Sequence, residues 1–219
     1  MVLPMKTIHH LSLTILGLLL LTALPAKAIL YLAGDPQFGP DSVTVDTSTG
    51  LAWLKLNEAA GLSYNQVLAE TQPGGMFSAF RFATVQEVLD LYSSAGIPAT
   101  GDYALSTTSI QSLFSLIGTT GLINGEPGVV ALSGTSAGGD AYCAPAIYAI
   151  GNNGVEEYSV TDGGLTPGGS AAYGTTYSFP ELSSWLVRSI PEPTGADFLL
   201  ITAATCCGFV LLHRREKAV

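Results

Sequence analysis

Ser42-Val43-Thr44-Val45-Asp46-Thr47-Ser48-Thr49-Gly50-Leu51-Ala52-Trp53-Leu54-Lys55-Leu56 reads as two strands and the turn between them. Residues 42–46 alternate small polar and β-branched side chains, the period-2 pattern of a half-buried strand. Thr47 to Gly50 is turn chemistry, and 51–56 is a second, more apolar strand carrying a tryptophan. A hairpin is therefore expected. Ser63 next offers an N-cap for a helix over 64–70, with Val67 and Leu68 on its apolar side and Pro73-Gly74-Gly75 closing it. Phe77, Phe80 and Phe82 then bracket Arg81, and Thr84-Val85-Gln86-Glu87 is a capping box opening a helix to about Ser94. Val85, Val88, Leu89 and Tyr92, spaced by three and four, give that helix one buried face, and Gly96-Ile97-Pro98 stops it.

Beyond residue 97 the chain turns to Gly, Ser, Thr and Ala. Gln111 to Ile117 predicts a short helix, and Val129–Leu132, Ala146–Ile150 and Glu157–Val160 predict strands. Asn152-Asn153-Gly154 is a hairpin turn between the last two. From Thr161 to Phe179 glycine and small polar residues predict a long surface loop, where binding functions tend to sit. The expected fold class is α+β, in one exported domain over 29–189, because 161 residues suffice for one core and not comfortably for two.

The ends of the chain are of a different kind. Lys6, a leucine-rich stretch from Leu11 to Leu24, Pro25 and then Ala26-Lys27-Ala28 compose a secretory signal peptide over residues 1–28, cleaved after Ala28. That implies the Sec translocon as a partner. At the other end Pro191-Glu192-Pro193 is a rigid extended tripeptide, followed by an apolar segment over about 196–213 and by Arg214 and Arg215, a basic flank that favours the cytoplasmic face. This order over 190–219 resembles the PEP-CTERM sorting tail. The resemblance implies processing by an exosortase-type membrane enzyme, transient anchoring in the inner membrane, and association of the delivered protein with the cell surface, biofilm or extracellular polymer.

The middle domain also resembles a family. Thr49-Gly50-Leu51 with Trp53, Ser63-Tyr64, Gly74-Gly75 and Arg81-Phe82-Ala83-Thr84 with Glu87 follow the pattern of exported bacterial domains near the C-type lectin-like fold. Trp185-Leu186-Val187-Arg188 is similar to that family's closing strand. The resemblance covers 41–96 and 183–188 and implies a single C-type-lectin-like scaffold in which Trp53 and Trp185 are core residues on paired strands. Phe80-Arg81-Phe82-Ala83 replaces the usual Trp-Arg-Leu-Pro, and the cysteines of the common lectin disulfides are absent. Core motifs hold such a scaffold while variable loops carry the ligand, so carbohydrate binding is not inherited with the motifs.

Residue inventory prunes the chemistry. Between 29 and 189 three bases, Lys55, Arg81 and Arg188, stand against fourteen acids, a net charge of −11 that disfavours nucleic acid and anionic lipid as partners. The three histidines, His9, His10 and His213, all fall in the transport segments. A Ser-His-Asp or Cys-His constellation and an imidazole zinc site are therefore excluded from the exported domain. No metal or cofactor is expected, since the acids lack the spacing of a calcium loop. Cys143 reads as a small buried thiol. Arg81 is expected to place its head on Glu87, while Tyr64, Tyr103 and Tyr142 are the tyrosines considered for stacking on a sugar.

One enzyme motif competes. Gly134-Thr135-Ser136-Ala137-Gly138 fits G-x-S-x-G, and Asp162-Gly163-Gly164 lies downstream, which resembles the Ser-Asp dyad of patatin-like lipases. A nucleophile elbow needs a strand, a sharp turn and a helix, whereas Pro145 interrupts the would-be helix here. The favoured reading is a non-enzymatic exported protein that binds envelope polysaccharide, with a hydrolase using Ser136 and Asp162 as the alternative.

Overall fold

The computed structural model describes residues 29–97, 107–123, 126–150, 157–161 and 172–191. The signal peptide with Ala26 and Ala28, Tyr103, the 152–154 turn, Asp162, and the tail from Glu192 through Pro193 to Arg214 and Arg215 lie outside them. Among the described residues no helix is long and apolar enough to cross a membrane.

The opening hairpin forms as its pattern requires. β2 (Gly39–Asp46) pairs antiparallel with β3 (Leu51–Leu54), with Val43 opposite Leu54 and Val45 opposite Ala52. The Asp46 carboxylate shapes the turn by accepting from the Ser48 N–H at 2.9 Å and its hydroxyl at 2.6 Å. Gly50, at φ +67°, closes the turn with its N–H on the Asp46 carbonyl, a conformation that penalises any side chain. The second strand stops two residues earlier than its apolar run, because Leu56–Ala59 coils into a 3-10 turn. An edge strand that the sequence pattern did not reveal, β1 (Leu30–Asp35), pairs with β2.

α1 (Tyr64–Glu70) starts at Ser63, whose hydroxyl accepts from the Gln66 N–H while the Gln66 side chain takes the Ser63 N–H. Only one side of this two-turn helix meets the body. Val67 is buried, whereas Leu68, expected beside it, points outward at 41 % exposure because one residue turns the helix by about 100°. β4 (Arg81–Phe82) leads into α2 (Val85–Ser94), capped reciprocally by Thr84 and Glu87. Val85, Val88, Leu89, Leu91 and Tyr92 are buried. α3 (Thr107–Ile117) begins four residues before the predicted start and buries Ile110, Leu113, Phe114 and Ile117.

The second half is strand-rich. β5 (Gly121–Ile123), β6 (Glu126–Leu132), β7 (Ser136–Gly138), β8 (Ala141–Cys143), β9 (Ala146–Ile150) and β10 (Glu157–Thr161) follow in order. β9 and β10 pair antiparallel, with Ile150 opposite Glu157. The expected long loop is broken by β11 (Ala172–Gly174), which pairs with β8. Last come β12 (Leu182–Ser184) and β13 (Leu186–Ser189).

Among the described residues three sheets form, ordered β1-β2-β3-β13-β4, β10-β9-β6-β12 and β11-β8-β7, with β5 beside β6, so the fold is α+β. Trp185 joins the first two. It sits between β12, parallel to β6, and β13, antiparallel to β3 and β4. Its N–H donates to the Leu132 carbonyl at 2.8 Å and its carbonyl accepts from Ala83 at 2.8 Å, one bond into each sheet. Trp53 meets it edge to face at 5.9 Å and Tyr92, from α2, at 6.0 Å, and all three are buried in one core with the apolar residues of α2 and α3. Each such ring contact adds about 0.5–1.5 kcal/mol beyond burial. The Tyr92 hydroxyl and the Trp53 Nε1 find no partner among the described residues, and burial pushes the Tyr92 phenol far above its usual range.

Candidate functional site

The motif residues resolve into scaffold. Arg81 donates to both Glu87 oxygens, at 2.9 and 2.6 Å, and to the Phe82 carbonyl at 3.1 Å. Glu87 also accepts from the Thr84 N–H and hydroxyl. The spacing R-x-x-T-x-x-E is thus one hydrogen-bonded knot fixing the start of α2. Hydrogen bonds from Arg81 hold the Glu87 carboxyl down at about 2, against the opposing pull of partial burial, with the Thr84 N–H assisting. Gly75 is explained by contact: a Cβ there would sit 2.3 Å from the Glu70 carbonyl oxygen. Arg188 pairs with the buried Asp35 and lies over the Phe80 ring, 5.1 Å from its centroid.

The Gly134–Gly138 pentapeptide is also tied into packing. The Thr135 hydroxyl accepts from the Val85 N–H at 2.9 Å, anchoring the loop to the first turn of α2, a contact the sequence did not signal. A Cβ on Gly134 would press on the Phe82 side chain at 3.0 Å. Ser136 is exposed, opens β7, and accepts the Gly138 N–H at 3.1 Å. A strand, β8, follows it, where a nucleophile elbow needs a helix. Cys143 is a fully buried residue of the main core, as read from the sequence.

A different set of side chains reaches solvent together. Tyr64, the first residue of α1, is not an exposed platform: it is buried between Phe82 at 4.3 Å and Tyr142 at 3.7 Å, both near-parallel. Burial, with Tyr142 beside it, raises the Tyr64 phenol well above its ordinary range. Tyr142 on β8 stands directly opposite Tyr173 on β11, so their side chains share one face of the small sheet. Tyr173 in turn stacks on Tyr177 at 5.2 Å and 6°, and Phe179 closes against both, at 5.5 and 5.6 Å. Six rings therefore run from the interior to the surface and end on Tyr177, which is 52 % exposed. Burial and Tyr177 also raise the Tyr173 phenol.

Backbone hydrogen bonds hold the outer part in place. Thr175 donates to the Asp140 carbonyl at 3.0 Å, Asn65 donates to the Thr175 carbonyl at 3.0 Å, and Tyr177 donates to Gly174 at 3.0 Å. The segment bearing Tyr177 is thereby strapped to the β7–β8 turn and to α1. Tyr173, Tyr177 and Phe179 fall within the stretch expected to be a long surface loop, a place where binding functions tend to sit, but none of the three was singled out. The available signal was three aromatics in seven residues of a Gly/Thr/Ser-rich stretch. Elsewhere an open cleft of about 360 Å³ is lined by Ser48, Thr49, Asp90, Ser93 and Ser94. Among the described residues no three His, Cys, Asp or Glu side chains gather as a metal site would require. The chain matches no family model, no curated protein and no solved structure.

Proposed function

We propose that this is a non-enzymatic, exported surface or extracellular-matrix protein with a C-type-lectin-like scaffold that binds envelope polysaccharide. In this reading it is delivered through the Sec translocon and processed at its PEP-CTERM tail by an exosortase-type enzyme, with Arg214 and Arg215 on the cytoplasmic side until then. The observation that carries the binding role is the ring array ending on half-exposed Tyr177. An aromatic face held by stacking, with hydroxyl and amide groups around it, offers both the apolar contact and the hydrogen bonds a sugar ring needs.

The pairing of β13 with β3 supports the scaffold reading, since the Trp185–Arg188 segment then closes the sheet begun by Thr49-Gly50-Leu51. The sheet also ends where the tail reading needs it to end. Ile190 donates its N–H to Gly50 at 2.8 Å, and the exposed Pro191 is the first residue beyond. Cleavage at residues 191–193 would leave β13 intact.

The test is to express the full chain in a host carrying the sorting machinery, beside a variant with Pro191, Glu192 and Pro193 changed to alanine. Intact mass, fractionation and retention on isolated extracellular polymer are then measured. The proposal expects wild type to lose both ends, leave the inner membrane and be retained by the polymer, while the variant stays membrane-bound. Two intact, membrane-bound proteins would refute the sorting part, and a released protein that ignores the polymer would refute the binding part.

A further inference from the structure

Resting on the polysaccharide-binding reading above, we infer that Tyr177 is a stacking subsite for an uncharged pyranose chain, and that the acidic surroundings reject polyuronates. Tyr173 covers one face of the Tyr177 ring and Phe179 meets its edge. The exposed area of Tyr177 therefore belongs to its other face and its hydroxyl end. A ring so backed loses little freedom when a ligand covers it, which lowers the cost of binding.

The neighbours are polar. Asn65 and Asp140 are exposed, and each is tied to Thr175 through its backbone, so a carboxamide, a hydroxyl and a carboxylate belong to the segments that meet beside the platform. The other large exposed apolar side chains among the described residues are Ile29, Tyr31, Leu68, Met76 and Leu122, spread along the sequence rather than gathered beside Tyr177 in it. Among the described residues this site offers one exposed ring and not a broad apolar patch, a format suited to the small apolar face of a sugar. The exported domain carries −11 between residues 29 and 189, and Asp140, one of the acids in that total, lies in the turn strapped to the Tyr177 segment. A polyanion would approach against that field, whereas a neutral glycan meets no penalty.

The test immobilises uncharged glucan, galactan and mannan and, separately, polygalacturonate, and measures binding of the purified full chain in mild detergent. Wild type should bind one of the neutral glycans and bind polygalacturonate at least ~10-fold more weakly. Tyr177→Ala should weaken neutral-glycan binding by ~10-fold or more, the usual range for a stacking hot spot, with Tyr177→Trp retaining it. Tyr31→Ala removes an equally exposed tyrosine from the edge strand β1 and should change nothing. Asp140→Asn should raise polygalacturonate binding. Neutral-glycan binding that survives Tyr177→Ala overturns this subsite while leaving polysaccharide binding standing. A preference for polygalacturonate overturns the ligand class. Failure to bind any of the four polymers, with the protein folded by circular dichroism, overturns both this inference and the reading beneath it.

Discussion

Two of the aromatic clusters among the described residues are built of similar side chains and enclosed to opposite degrees. Trp53, Trp185 and Tyr92 meet edge to face at about 6 Å in the joint between two sheets, with exposures of 1 % or less. Tyr173, on a three-stranded sheet, and Tyr177, just beyond it, lie parallel at 5.2 Å, and the second is half open to solvent. Ring chemistry does not distinguish them; position in the topology does. A residue where the chain crosses from β12 to β13 is enclosed from both sides and by two helices. Tyr177, just past β11, is backed by Tyr173 and Phe179 and is half open to solvent. The difference separates aromatics that hold the fold from aromatics free to hold something else.

Trp185→Ala attacks the closed cluster and should have the largest effect, a loss of about 3–5 kcal/mol in denaturant unfolding, because it removes a large buried side chain from the joint. A loss below about 1 kcal/mol would mean that the two sheets do not depend on that ring. The opposite sign is expected for Tyr92→Phe. It removes a buried hydroxyl that has no partner among the described residues, and should raise stability by about 1 kcal/mol. Destabilisation by the same amount would reveal a hydrogen bond to that hydroxyl.

Glu87→Gln, at the margin between the two regions, should cost about 0.5–1 kcal/mol, since the ion pair is half exposed and solvent screens it. The effect should depend on pH. The folded carboxyl titrates at about 2, below its ordinary value of 4.5, so the contribution is complete above pH 4.5 and fades as pH falls towards 2. Melting curves of wild type and variant should converge over that window, and a constant gap down to pH 2 would contradict the pairing. Tyr177→Ala should have the smallest effect on stability, within about 0.5 kcal/mol, as befits a ring outside the core.

Local rules carried the first third of the chain. The hairpin around Gly50, the caps at Ser63 and Thr84, the face of α2 and the Arg81–Glu87 pair were legible because each depends on neighbours within a few residues. β12 and β4 were not legible, being two or three residues long and formed by pairing with distant partners. Leu68 shows the same limit within a helix: its hydrophobicity is local, but the surface it would pack on is not. At the candidate site the sequence pointed to Tyr64 and Tyr142, two rings of the array, and missed its exposed end. Tyr173 and Tyr177 become neighbours only because β11 pairs with β8 and the chain then turns back.

Hydrogen exchange of the full chain, with and without the polymer that retains it, tests most directly whether one aromatic region binds while the other only supports. The account predicts that amides of residues 172–179 and of the 139–141 turn gain protection, while 51–54 and 185–189, already slow, do not change. Protection appearing instead along β3 and β13, with residues 172–179 untouched, would contradict it.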